Sequence, residues 1–183
     1  MAPAGQVTES ALQAMLEDAA FTGSWTLDAS RSAIGLRSRS MWGLAPVKGT
    51  FREVTGSGTV AADGQVSGTV TVTAASVDTK IAKRDTHLRS ADFFDTGNHP
   101  DLTVTVEGIR PSGLGVAVTG ALTVRDRTRP LSFDAAAYFQ GDGEIWLDAE
   151  IHVNRADFGL TWNQMGMASL NNTLTIHAVF VQR

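Results

Sequence analysis

Apolar and hydroxyl-bearing residues alternate along most of this chain. Val70-Thr71-Val72-Thr73-Ala74 and Leu102-Thr103-Val104-Thr105-Val106 do so almost without error, and a period of two puts successive side chains on opposite faces of a strand. The pattern predicts strands near Trp25–Leu27, Ser32–Ser40, Val47–Ala61, Gln65–Val77, Leu102–Ile109, Leu114–Arg125, Arg129–Phe139, Glu144–Asn154 and Asn172–Gln182. Asp63-Gly64, Pro111-Ser112-Gly113 and Gly141-Asp142-Gly143 fit hairpin turns, where glycine supplies the positive φ. Eight long strands and a short first one, mostly joined by tight turns, describe an antiparallel meander. Closing it removes the long edges that invite aggregation, so the expected fold is all-β, an up-and-down barrel.

Two stretches break the period. In Thr8–Ala20, Leu12, Met15, Leu16 and Ala19 follow helical spacing, with Thr8 as N-cap and Glu9 in the first turn. Residues 1–22 therefore read as a helical extension before a barrel domain of residues 23–183. The helix has no lysine or arginine on its polar face, which disfavours a membrane-surface role. Its apolar stripe is expected to pack against the domain or a partner subunit. The second break, Lys83–Asp101, is charged and aromatic and cannot continue the sheet. It predicts a short helical insert after the fourth of these strands.

Phase assigns the barrel's inside. Val66, Val70 and Val72 share one face, as do Val104 and Val106, and Leu122 and Val124 match Val116 and Val118. Ile145, Leu147, Ile151 and Val153 alternate with Trp146, Asp148, Glu150 and His152, while Leu174, Ile176 and Phe180 alternate with Thr173, Thr175 and His177. The apolar set belongs inside, since a one-residue slip would expose all of it. A barrel of about eight strands has room for side chains or one small ligand. Small inward residues (Gly68, Ala74, Gly120, Ala149, Ala178) lower its filling. Periodicity leaves a solid core and a cavity both open. In a hollow barrel the lining candidates are Ile34, Leu36, Phe51, Val70, Val72, Val104, Val106, Leu122, Val124, Phe133, Leu147, Ile151, Leu174, Ile176 and Phe180. Phe93 and Phe94 are adjacent and must point to different sides, one of them lining or plugging a barrel end. Trp162 and Met165 lie in an adaptable loop before the last strand that could also meet an apolar ligand.

Composition narrows the chemistry. At 183 residues the chain suits one substantial domain, and its net charge of −4 comes from interspersed signs. With no basic stripe, nucleic acid is not an expected partner. Cysteine is absent, which removes disulfides, thiolate metal sites and a cysteine nucleophile. Met1–Ser30 lacks the positive n-region and apolar core of a secretory signal, and no run approaches the ~18 apolar residues of a membrane span. The expectation is a cytoplasmic protein with no stable membrane insertion. No phosphate-binding glycine loop or nucleophile elbow is present.

Individual polar residues point mostly to structure. His87 and Asp85 lack metal-ligand spacing and a third ligand, so neither a metal nor a cofactor is expected. Asp85 and Arg89 at i, i+4 are placed to pair across a helix. His152 and His177 fall on the polar face of neighbouring strands, close enough to approach each other but without a carboxylate framework. Arg155-Ala156-Asp157 reads as an ion pair or loop clamp. Arg37, Arg39 and Arg89 could meet an anionic head group at a rim, but Arg37 and Arg39 share the polar phase and read better as solvated charges.

The block Arg84-Asp85-Thr86-His87-Leu88-Arg89-Ser90-Ala91-Asp92-Phe93-Phe94-Asp95, followed by His99-Pro100, resembles the R-D-x-H-L-x-S-x-D-F-F-D…P signature of the YceI-like family. Trp25-Thr26-Leu27-Asp28, Lys48-Gly49-Thr50-Phe51, Ser76-Val77-Asp78-Thr79, Gly120-Ala121-Leu122-Thr123-Val124 and Asn154-Arg155-Ala156-Asp157-Phe158-Gly159 follow in the family's order. One departure is Arg37-Ser38-Arg39-Ser40-Met41-Trp42, where the family often carries a histidine. The resemblance implies an extended lipocalin-like barrel that binds a polyisoprenoid or another long-chain amphiphile, tail in the tube and head group near the mouth. Arg89, His99 and Asn163 are then head-group candidates. Two functions are consistent with this reading: a non-catalytic carrier or sequestering protein, or a filled barrel acting as a homodimeric scaffold with the N-terminal helix at its interface. An enzyme is disfavoured because no nucleophile–base pair is evident.

Overall fold

The computed structural model describes residues 6–141 and 143–183. Its strands are β1 (Gly23–Leu27), β2 (Ala33–Ser40), β3 (Ala45–Phe51), β4 (Val54–Val60), β5 (Val66–Thr73), β6 (Val77–Asp78), β7 (Asp101–Ser112), β8 (Gly115–Val124), β9 (Arg127–Gly141), β10 (Glu144–Asn154) and β11 (Asn171–Gln182). Two helices accompany them, α1 (Glu9–Glu17) and α2 (Ala82–Arg89). All pairings are antiparallel, and the sheet closes where β1 meets β11.

The strands form eight continuous lines. β1 and β2 lie end to end on β11, with Trp25 opposite Gln182 and Arg37 opposite Thr173. β3 and β4 answer them as a second line, and β5 and β6 make a third across the 3-10 turn Ala74–Ser76. The expected barrel of eight strands is therefore the observed one. Trp25–Leu27 and Ser32–Ser40 are two pieces of a single line, whereas Val47–Ala61 and Gln65–Val77 are each interrupted. The breaks have local chemical causes. Asp28 accepts hydrogen bonds from the Ser30 N–H and hydroxyl and turns the chain before β2. At Arg52-Glu53 the sheet bonds are replaced by bonds to Ser76, whose carbonyl takes the Arg52 N–H and whose hydroxyl takes the Glu53 N–H.

Turns are tighter than sequence implies. β7 runs through Pro111 and Ser112, so the hairpin turn is Gly113-Leu114, with Gly113 at φ 57°. Gly141 and Gly143 both take positive φ as expected, while Asp142 lies outside the described residues.

Helix α1 ends at Glu17 instead of Ala20. Thr8 caps it by accepting from Ala11 N–H, and Asp18 caps a separate 3-10 turn, Ala19–Phe21, by accepting from Ala20 N–H. The apolar stripe is spent on the chain's own barrel: Leu12 is buried against Val116, Val118 and Ala135. Helix α2 and the loop after it cover the opposite end, where Phe93 packs near Leu122, Val124, Phe158 and Leu160.

Candidate ligand cavity

Inside the barrel lies a cavity of about 460 Å³. Every strand line contributes to its wall. Ile34, Leu36, Phe51, Val70, Val72, Val104, Val106, Leu122, Val124, Phe133, Leu147, Ile151, Leu174, Ile176 and Phe180 all face it, together with Phe93, Phe94 and Trp162. The barrel is thus hollow. Part of the reason is the small inward positions. Ala149 and Ala178 line the space, as do Gly68 and its register partner Gly58 on the neighbouring strand.

The two ends differ. Leu12, Met15, Leu16, Phe21 and Trp25 close one end with apolar surface. Sequence periodicity identified the helical stripe but not that it forms a cavity wall, because nothing local says which surface a stripe meets. The other end holds the lining's ionisable residues, Arg39, Arg84, His87 and Arg155, with no carboxylate among the lining residues.

Arg155 is the hub of that end. Its buried guanidinium donates to the carbonyls of Ser169 (2.9 Å), Trp162 (2.8 Å), Leu160 and Ala168. It is a loop clamp and not an ion pair. Burial pushes its pKa down, yet guanidinium stays a cation at any ordinary pH. The His87 ring stands edge-on to Trp162 at 4.4 Å and to Phe93 at 5.1 Å between centroids, and its Nε2 lies 2.9 Å from Asp92.

The signature block is explained by its contacts. Asp85 is buried and accepts from the Thr79 N–H and hydroxyl at 2.9 and 2.6 Å. Arg84 donates to the same hydroxyl, and Arg89 donates to the carbonyls of Ala75 and Val77. The expected Asp85–Arg89 pair does not form, because each residue ties α2 to the strand line before it. This also removes Arg89 from the cavity wall. His99 turns toward Asp95, 3.9 Å away, and Asn163 accepts from Ala168 N–H; neither lines the cavity. Met165 points to solvent instead of inward, from a 3-10 turn in which its backbone is left-handed. His152 and His177 do not meet: the first pairs with Thr173 and the second with Asp148. Arg37 pairs with Glu150 on the outer face. Among the described residues no group of three His, Cys, Asp or Glu side chains converges on a point, and no helix is long and apolar enough to cross a membrane.

A single-chain antiparallel barrel, closed at one end by a helix and hollow along an apolar interior, defines a lipocalin-like protein. Residues 25–181 match the model of the YceI-like domain, and the chain belongs to that family. It is 34% identical over 143 residues to protein YceI of Escherichia coli O157:H7, covering 74% of each chain. Among solved structures it superposes on Burkholderia cenocepacia BcnA with a TM-score of 0.75 at 19% identity, covering 84% of this chain and 98% of that one. A Saccharophagus degradans domain described as polyisoprenoid binding gives 0.71 at 17% identity, covering 87% and 98%.

Proposed function

We propose that this protein is a non-catalytic binding protein that carries or sequesters a polyisoprenoid or similar long-chain amphiphile inside its barrel. One observation carries the reading: the interior is an open cavity walled by apolar side chains from every strand line. Its size falls within the ~300–1,000 Å³ range of small-molecule sites. Each methylene taken from water contributes about 0.8 kcal/mol, partly offset by ordering of the chain, so a long tail needs few polar contacts. The description of the S. degradans neighbour supports the same ligand class. A tail would fill the tube toward α1, and a head group would stand near His87, Trp162 and Arg155, where the lining becomes polar. Organic extraction of the purified protein followed by mass spectrometry tests this. The expected result is a polyprenyl lipid in the extract. A protein that yields no lipid and takes up no added polyprenyl compound would not have this function.

A further inference from the structure

The rim around the polar end of the cavity is apolar on its outer side. Met41, Trp42 and Leu44, in the turn between β2 and β3, are 49%, 64% and 81% exposed, and Met165 and Leu170, before β11, are 78% and 37% exposed. Five of the seven large exposed apolar side chains among the described residues lie in these two segments, the others being Ile81 at the start of α2 and Leu114 in the turn between β7 and β8. The two segments are tied into one surface. Trp42 N–H donates to the Met167 carbonyl and its indole N–H to the Met165 carbonyl, both at 3.3 Å, while Ser169 N–H donates to the Arg39 carbonyl at 2.9 Å.

The backbone holds these side chains outward at a cost. Met41, Trp42 and Met165 have φ of 51°, 54° and 54°, a region that bulky residues rarely enter and that turns normally give to glycine or asparagine. Conformations of this kind cluster at ligand-binding and switch regions, and three of the six described non-glycine residues with positive φ lie in this patch. Charge adds a second, independent indication. Residues 37–48 carry Arg37, Arg39 and Lys48 with no acidic residue, and residues 162–171 carry no charge at all. Arg37 is engaged by Glu150 on the outer face, which leaves Arg39 and Lys48 as exposed cations beside the turn. The foot of the patch is the cavity wall itself, formed by Ser38, Ser40, Val47, Trp162 and Ala168.

We propose that this rim is a reversible docking surface for an anionic phospholipid bilayer, with Trp42, Leu44 and Met165 entering the interface and Arg39 and Lys48 meeting the head groups. A tryptophan among aliphatic side chains suits the boundary between head groups and acyl chains, and basic residues add attraction to an anionic surface. With α1 covering the other end, a ligand leaving at this rim would pass directly between cavity and membrane. That purpose rests on the binding function proposed above, but the docking itself does not.

Flotation of the full chain with vesicles free of polyprenyl lipid tests the docking alone. Wild-type protein should float with phosphatidylcholine–phosphatidylglycerol vesicles, less with phosphatidylcholine alone, and less in high salt. The double variant Trp42→Ser/Leu44→Ser should lose about tenfold or more of its vesicle partition, from the apolar area withdrawn. Leu114→Ser, an exposed residue beside α1, should partition like wild type. Met165→Ser provides the same test if the double variant does not give the native circular dichroism spectrum. Wild-type protein that stays unbound, or rim variants that float undiminished, would overturn the proposal. So would rim variants that only halve the solution mass by light scattering, which would assign the patch to a second copy of the chain. Because lipid extraction and vesicle flotation are separate readouts, either result leaves the other standing.

Discussion

The guanidinium carbon of Arg155 lies 5.4 Å from the centre of the Phe93 ring. This contact joins the segment after β10 to the insert between β6 and β7, so one cation links the loop before β11 to the cover over that end of the barrel. Its hydrogen bonds go to carbonyls of residues 160–169. Arg155→Met keeps some packing but strands those acceptors. Each bond to a charged donor is worth roughly 1.5–3 kcal/mol net, and partial rehydration of the carbonyls should hold the total loss near 3 kcal/mol. Arg155→Lys should recover little, because an ammonium lacks the planar fork that reaches several carbonyls at once. Urea unfolding measures both. A loss below roughly 0.5 kcal/mol, the level of an ordinary surface substitution, would contradict the hub role.

Ala149 lines the cavity midway along β10, opposite Ile176 on β11. Ala149→Phe projects a ring into empty space instead of into packed neighbours. The variant should fold with unchanged or raised thermal stability, since it fills a void, and should lose the extractable lipid. Co-purified lipid at wild-type level would mean that the ligand sits elsewhere. A collapse of thermal stability would mean the void is smaller than its lining indicates.

How much of this could be read from sequence follows from the range of each signal. Strand side chains repeat every two residues whatever the neighbours do, so the inward phase of Val70, Val104, Leu122, Ile151 and Ile176 was legible, and all of them reach the cavity. The insert was legible too, because Lys83–Asp101 breaks that period. The interruption at Arg52-Glu53 was not, for it depends on Ser76 offering its carbonyl and hydroxyl from another line. Arg89 stays out of the cavity wall for a related reason. Its carbonyl partners at Ala75 and Val77 are sequence-near but become reachable only once α2 folds back. Met165 lies in a loop without periodicity, where residue type alone does not set direction.

Leu12 is the buried anchor of α1, packed on Val116, Val118 and Ala135. Leu12→Ala should cost about 2–3 kcal/mol, toward the lower end of buried leucine truncations because the helix can settle at a barrel end. The same change loosens the wall formed by Met15 and Leu16, so bound lipid should exchange faster. Denaturant unfolding gives the first quantity and competition with a fluorescent fatty chain the second. Stability within about 0.5 kcal/mol of wild type would show that α1 contributes little to the barrel.

Arg31 bonds Asp28 at 2.7 Å and grips both oxygens of Glu144 at 2.9 and 2.8 Å, fastening the break between β1 and β2 to the start of β10. The Ser30 hydroxyl and then Arg31 lower the Asp28 pKa from 3.8 to about 2. Arg31 and then the Trp146 indole N–H lower that of Glu144 from 4.5. Depressed carboxyl groups contribute stability above their unfolded pKa, and this is lost as pH falls through the folded value. The Arg31 guanidinium is shifted upward and stays charged throughout this range, so the window belongs to the two acids and runs from about 4.5 down to about 2. Wild type should melt higher than Arg31→Met at neutral pH, and the difference should shrink across that window and vanish at its lower end. Because the cluster is exposed, salt should also narrow the gap at neutral pH. A difference in melting temperature that persists unchanged to the bottom of the window would show that Arg31 acts through its hydrocarbon stem and not through its charge.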